Sequence, residues 1–169
     1  MKKFVIGFLY GTFATVFFWI AQPDAAAIPA FKKEFEKAYV DKDAADAHKQ
    51  AFAEAAKAKT GKCWICHVNM KPLGEEKLGK KVRNNYGNAL SQFLEKENYS
   101  SQRRKEEPEK VSAEIHEAFK KVGAMNSDPQ DPNSPTFNEL IAAGKLPGNG
   151  DPNPDDLKKA IADRDSKSK

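Results

Sequence analysis

The segment TGKCWICHVNM, from Thr60 to Met70, constrains the fold of this chain more than any other. It holds both cysteines of the sequence, Cys63 and Cys66, and His67 follows the second cysteine directly. Two cysteines separated by only two residues close too small a loop for a disulfide to add much stability. The segment therefore predicts a site with chemistry of its own, around which the rest of the chain folds.

The N-terminal residues 1–27 have the pattern of a secretory signal peptide. Lys2 and Lys3 are followed by an apolar run from Phe4 to Ala21 and then by three alanines at 25–27. An uncleaved anchor is the alternative, because about 18 apolar residues nearly span a bilayer. Both interpretations predict an exported protein, periplasmic or otherwise extracytoplasmic, and both exclude residues 1–27 from the folded domain.

Charge and cysteine content exclude several classes of protein. The formal net charge of +4 falls by one when Lys2, Lys3 and Asp24 are removed with the N-terminal segment. Acidic and basic residues are mixed along the chain, as in FKKEFEKAYVDKD. The sequence has no stripe of basic residues interleaved with aromatic ones, so we do not expect a nucleic-acid partner. Only two cysteines in an exported chain do not make a disulfide scaffold. No acid–base pair or nucleophile–base pair stands out, so we do not predict an enzyme.

The remaining sequence predicts an all-α fold. Apolar residues recur at spacings of three and four, no alternating strand pattern appears, and alanine-rich stretches favour helix. Gly61 is expected to end the second helix, and Ser134 to cap the last one with Pro135 in its first turn. The predicted helices cover residues 28–40, 44–59, 85–96, 108–124 and 134–144.

Other stretches of the sequence predict irregular structure. Residues 99–110 are expected to form a solvated linker, and the proline-rich residues 126–135 a turn-rich loop. The domain is predicted to span 28–146, with 147–169 as a flexible polar tail in which a short helix near 157–162 is possible. A domain of this size gains stability from a covalently held, apolar cofactor in its interior.

Cys63, Cys66 and His67 match the C-x-x-C-H pattern through which haem is attached. Two thiols at this spacing can add across the two vinyl groups of haem, and the following imidazole can bind the iron. A thioredoxin-like thiol site is a rival, but it belongs at a strand-to-helix junction. A zinc site is another rival, but it needs a fourth ligand from elsewhere, such as His48 or His116.

On these residues, the chain resembles the small, helical, monohaem c-type cytochromes. The resemblance covers CWICH, the helix leading into it and a later methionine, and extends over about 44–125. The segments RNNYGNAL and SDPQDPNSPTFNELIAAGKLPG are also similar to segments of short exported bacterial proteins with one cytochrome c domain. This resemblance implies one covalent haem c, with Cys63 and Cys66 as thioether anchors and His67 as the proximal iron ligand.

The second axial ligand separates electron transfer from ligand binding. Met125, at the end of the fourth predicted helix, is the expected ligand because small electron-transfer cytochromes have a methionine at such a distance; packing in the core is its alternative role. His116, His48 and an open site are the other possibilities. Met70 lies too close to His67 along the chain to reach the opposite face of the haem.

These expectations favour an electron-transfer protein whose iron cycles between Fe(III) and Fe(II). A haem sensor or small-ligand binder with an open distal site is the alternative, and peroxidase-like activity stays open. Trp64, Arg83 and Tyr86 are candidate donors to the haem propionates, although Trp64 and Tyr86 can equally serve in packing. The basic residues after the motif could attract an acidic redox partner or simply form a solvated loop: Lys71, Lys77, Lys80, Lys81 and Arg83.

Overall fold

A computed structural model describes residues 29–41, 43–57, 61–70, 74, 76–148, 157–158, 161–162 and 165–166. The signal peptide or anchor predicted at 1–27 lies outside these residues. Within them the secondary structure is helical, with no strand beyond two isolated antiparallel bridges. None of the helices described is long and apolar enough to cross a membrane. The all-α prediction is confirmed.

The helices follow one another with short connections. In chain order the α-helices are α1 (Pro29–Tyr39), α2 (Ala47–Lys57), α3 (Gly61–Trp64), α4 (Glu76–Gly79), α5 (Asn85–Ser91), α6 (Ser101–Glu106), α7 (Pro108–Gly123) and α8 (Phe137–Ala142). The 3₁₀ helix Lys96–Tyr99 lies between α5 and α6.

The main core forms where α1, α2, α5, α7 and α8 meet. Phe35 lies at its centre, with ring centroids 5.7 Å from Phe119 and 5.9 Å from Tyr86. Tyr86 in turn packs edge-on against Phe137 at 5.1 Å. Aromatic pairs at these separations add to the stability gained from burial. The apolar periodicity predicted for α1 and α7 therefore corresponds to real core faces.

A buried carboxylate joins α1 to α7. Glu34 accepts hydrogen bonds from Ser112 at 2.6 Å and from Lys37 at 2.7 Å, and the ring Nε2 of His116 lies 3.0 Å from it. Burial alone would raise the pKa of Glu34, but these hydrogen bonds outweigh it and lower the pKa below its ordinary value. Glu34 is therefore an ionised group that fixes the packing of these two helices.

Residues 99–110 are not the solvated linker that the sequence predicts. Tyr99 is buried, and α6 begins after Ser100, whose side chain accepts from the amide of Arg103. Arg103 then pairs with Glu114 on α7 at 2.7 Å. This short helix has no apolar stripe of its own, since a cap and an ion pair hold it, and hydrophobic periodicity could not detect it.

Three predicted helix boundaries are also wrong. Gly61 lies in α3 and does not end a helix; residues 58–60, between it and Lys57 of α2, lie outside the described residues. The third predicted helix ends at Ser91, and Phe93 is 42% exposed beyond it. Thr136, not Ser134, caps α8, because Thr136 and Glu139 form a reciprocal capping box.

Some residues after position 146 pack against the rest of the described chain. Pro147 and Gly148 are buried, and Leu157 and Ile161 pack against a second, smaller cluster. That cluster consists of Val68, Met70, Leu78 and Val82. Most of the predicted polar tail lies outside the described residues, so its flexibility stays a prediction.

Candidate haem-attachment site

Cys63, Cys66 and His67 all lie on one tight turn of the backbone. Cys63 lies in α3, and the chain turns directly after Trp64. The carbonyl of Cys63 accepts hydrogen bonds from the amides of Cys66 at 3.4 Å and His67 at 3.1 Å. The motif therefore begins in the single helical turn of α3 and continues directly into a second turn. Its three candidate functional residues thus lie on one short stretch of chain.

A second segment runs antiparallel to the end of the motif. His67 forms an isolated bridge with Arg83. On either side of it, the amide of Val68 donates to the carbonyl of Val82 and the amide of Asn84 donates to the carbonyl of Cys66, both at 3.1 Å. These bonds hold the motif against the start of α5.

Gly87 on α5 allows this close approach. A Cβ built on Gly87 would overlap the carbonyl oxygen of Cys66 and lie 2.9 Å from its carbonyl carbon. Backbone atoms on both sides leave no room for a side chain here. The glycine in RNNYGNAL therefore lets the helix and the motif touch.

Both cysteines are free thiols. Burial raises the pKa of Cys66 to about 12; Arg83 opposes this shift and Cys63 adds to it. Thiol exchange and zinc binding both use the thiolate, and reactive cysteines have lowered pKa values. Without a bound metal, Cys66 therefore keeps its proton at neutral pH, unlike the reactive cysteine of a thioredoxin-like site. A bound zinc ion would itself deprotonate the thiol, so the raised pKa does not bear on the zinc interpretation.

His67 is 7% exposed, and its ring Nδ1 is buried with no hydrogen-bond partner among the described residues. Burial lowers the pKa of His67 below its ordinary value, which favours the neutral imidazole. A neutral imidazole is the form that binds a metal. His67 thus has the protonation state required of an iron ligand.

Two further buried donors, Trp64 Nε1 and Tyr86 Oη, also find no partner in the described part of the chain. Burial raises the pKa of Tyr86 well above its ordinary value, so its hydroxyl keeps its proton. Buried donors normally have an acceptor. Two unpartnered donors on and beside the motif, together with the thiols and the imidazole, fit a haem with its acidic side chains at this site.

The two methionines considered as ligands lie in different surroundings. Met70 is buried in the second cluster with Val68 and Leu78. Met125 follows the end of α7, is partly buried and packs against the main core.

Asn85, at the start of α5, donates to the carbonyl of Ser127 at 3.0 Å. The segment carrying Met125 is thereby tied to the same helix end that holds the motif.

The two other histidines have different roles in this structure. His116 faces Glu34 with its Nε2 and serves the α1–α7 contact. His48 is exposed near the start of α2. No group of three or more His, Cys, Asp or Glu side chains within the described ranges is arranged to hold a metal ion. The histidine that a zinc site would need is not brought to the cysteines here.

The basic residues after the motif are divided between solvent and the site. Lys77, Lys80 and Lys81 are exposed, and Lys80 pairs with Glu76 at 2.7 Å. Arg83 is half-buried and lies beside the motif. Lys71 lies outside the described residues. The segment therefore carries exposed positive charge next to the residues that could hold a cofactor.

Sequence reasoning missed Asn84, which is fully buried beside the motif. Its position directly before a predicted helix at residue 85 was a detectable sign of an N-cap, and its Oδ1 does accept from the amide of Gly87 at 2.9 Å. The contacts that its amide nitrogen makes with the motif connect residues 17 to 20 positions apart, and no local pattern reveals them.

No protein-family model, no curated protein and no solved structure matches this chain. The resemblance to c-type cytochromes therefore stays a prediction that rests on the motif and on the residues around it.

Proposed function

We propose that this chain is an exported electron-transfer protein that carries one covalently attached c-type haem. The observation that carries the proposal is the turn at residues 63–67. This short stretch of backbone carries two thiols and a buried imidazole, one nitrogen of which has no hydrogen-bond partner among the described residues. Bound at this turn, haem would supply a one-electron couple between Fe(III) and Fe(II).

Cys63 and Cys66 would hold the haem through thioether bonds. In each attachment the sulfur bonds to one vinyl carbon, the thiol hydrogen goes to the other, and the double bond becomes single. The addition needs no oxidant, and it uses free thiols, which both cysteines are. His67 would bind the iron, and Trp64 and Tyr86 could then donate to the acidic side chains of the haem.

Met125 is our proposed second axial ligand. It is supported by its place on a half-buried segment that Asn85 connects to the motif-bearing end of α5. The alternatives have other partners or surroundings: His116 contacts Glu34, and Met70 is packed in the second cluster. Methionine would give a higher reduction potential than a second histidine.

An acidic redox protein is the proposed partner. Support comes from the exposed Lys77, Lys80 and Lys81, which follow the motif along the chain. Positive charge beside the electron-transfer site would steer an acidic surface toward it, more strongly at low salt. The sequence pattern of residues 1–27 supports export from the cytoplasm. Haem attachment of this type takes place outside the cytoplasm.

The test is expression of the full chain with a c-type maturation system, followed by ferric and ferrous spectra with and without carbon monoxide. An electron carrier with two protein ligands keeps its ferrous spectrum when carbon monoxide is added to the native protein. A ready shift with carbon monoxide would contradict the electron-carrier proposal and favour a sensor with an open iron site.

A further inference from the structure

Asn84 makes an unusual set of contacts for one buried residue. Its side-chain nitrogen lies 3.0 Å from the carbonyl oxygen of Trp64, 3.2 Å from that of Ile65 and 3.1 Å from that of His67. Its backbone amide donates to the carbonyl of Cys66 at 3.1 Å. Each carbonyl from residue 64 to residue 67 thus lies within hydrogen-bond distance of an Asn84 nitrogen, and because the side-chain nitrogen carries two hydrogens, one of them is shared between two carbonyls.

The remaining polar atom of the side chain is also used. The Oδ1 of Asn84 accepts from the amide of Gly87 and so caps α5. One residue therefore links the start of a helix to four consecutive peptide groups of the motif. Burying an amide is unfavourable unless it is hydrogen-bonded, and this amide is fully bonded.

The chain is shaped around this side chain. A Cβ built on Gly148 would overlap the amide group of Asn84, and one built on Gly87 would overlap the carbonyl of Cys66. Pro147 and Gly148 are themselves buried. The C-terminal end of the packed domain therefore closes over Asn84, which leaves the side chain fully buried.

An apolar residue could fill this space, but it could not fix the path of the motif. The backbone amide of Asn84 would still serve the carbonyl of Cys66, but the carbonyls of Trp64, Ile65 and His67 would lose their donor from the side chain. The side-chain amide of Asn84 supplies that donor only when these three carbonyls converge on it. The side chain is thus specific for one conformation of the motif.

We propose that Asn84 is the positioning residue that sets the C-x-x-C-H turn before haem is attached. This inference rests on the proposed function. With the turn already formed, both thiols and the imidazole are ordered together, and the entropy of ordering them is not lost during attachment. Asn84 acts through the backbone of the motif and does not itself bind the iron.

The test compares Asn84→Asp with Asn85→Asp in the full chain. Aspartate at position 84 keeps an oxygen to cap α5 but replaces the donor to the carbonyls by an acceptor. Asn85→Asp is the matched control, because it removes a neighbouring amide donor that serves Ser127 instead. Asn84→Ser, a second variant, also keeps a capping oxygen and adds no charge.

Amide hydrogen exchange of the haem-free chain measures the turn itself. We expect Asn84→Asp to speed exchange at the backbone amides of Val68 and of position 84 by about tenfold to a hundredfold, as for buried groups that lose a partner. Amides in α7, such as that of Ile115, should exchange as in the wild type. In Asn85→Asp, the amide of Val68 should be unchanged.

The extent of haem attachment measures how far the conformation of the turn affects the reaction of the two thiols. With the maturation system, mass spectrometry of soluble Asn84→Asp should find less than a tenth of the chains with both thioethers. Asn85→Asp, whose lost contact bears on the Met125 segment and not on the thiols, should match the wild type in thioether content. Wild-type exchange at Val68, or full attachment, in both Asn84 variants would overturn the role of Asn84. A wild-type chain that acquires no haem would instead overturn the proposed function, and the role of Asn84 in attachment with it.

Discussion

Gly87→Ala tests how closely α5 must approach the motif. A Cβ at this position would overlap the carbonyl oxygen of Cys66 and lie 2.9 Å from its carbonyl carbon, against an ordinary contact of 3.4 Å or more. The obstacle is backbone on both sides, so no flexible side chain can yield. The two segments must separate, which also lengthens the hydrogen bonds between Asn84 and the motif.

The expected cost follows from these contacts. Overpacking a rigid interior costs about 1–3 kcal/mol, and a backbone obstacle belongs at the upper end of that range. Alanine returns at most about 1 kcal/mol through its higher helix propensity. We therefore expect the free energy of unfolding to fall by about 2 kcal/mol, which corresponds to a Tm lower by roughly 6 °C for a chain of this size.

Urea unfolding followed by far-ultraviolet circular dichroism measures this loss in the haem-free chain, and mass spectrometry of the matured protein measures haem attachment. Gly74→Ala is the control: its φ of 75° makes alanine unfavourable, but no atom lies within 4 Å of the added Cβ. It should cost about 1 kcal/mol and leave attachment intact. An unfolding midpoint of Gly87→Ala equal to that of the wild type would refute the close approach of α5.

Three other substitutions, two of them with a control variant, test separate parts of the structure. Glu34→Gln should lower the free energy of unfolding at neutral pH by about 2 kcal/mol. Because the pKa of Glu34 is held below 4.5 in the folded state, the difference in unfolding free energy between the wild type and the variant should narrow as the pH falls below 4.5. A difference that stays constant with pH in urea titrations would contradict this prediction. Thr136→Ala should cost about 1 kcal/mol by removing the cap of α8. Ser134→Ala removes only exposed hydrogen bonds with Asp128 in the preceding loop and should lower the urea midpoint less. A larger loss from Ser134→Ala than from Thr136→Ala would contradict the assignment of the cap. In the matured protein, Met125→Ala should abolish the weak ferric charge-transfer band of a methionine–iron bond and Met70→Leu should retain it; the opposite pattern would exclude Met125 as the ligand.

The helices with regular apolar faces could be predicted from the sequence. In α1 and α7, residues such as Phe35 and Phe119 recur at helical spacing and meet in the core, so local periodicity and tertiary packing agree. For α8, the sequence contained two competing start signals. The T-x-x-E capping box at Thr136 prevails over Ser134, because it satisfies two backbone donors reciprocally.

The elements that sequence missed are held by polar contacts between distant residues. α6 is held by the pairing of Arg103 with Glu114, and Glu34 adds a polar contact to the apolar packing of α1 on α7; neither creates an apolar period. The same holds at the site. Cys63, Cys66 and His67 could be selected by spacing, but the convergence of three carbonyls on the side chain of Asn84 becomes visible only in three dimensions.

Covalent haem is the central claim, and its direct measurement is the intact mass of the protein after denaturation. The wild-type chain from cells with a c-type maturation system should carry the mass of one haem, which denaturing electrophoresis does not remove. A Cys63→Ala, Cys66→Ala double variant should carry none. A wild-type protein with no added haem and two thiols that react with an alkylating reagent would contradict the account.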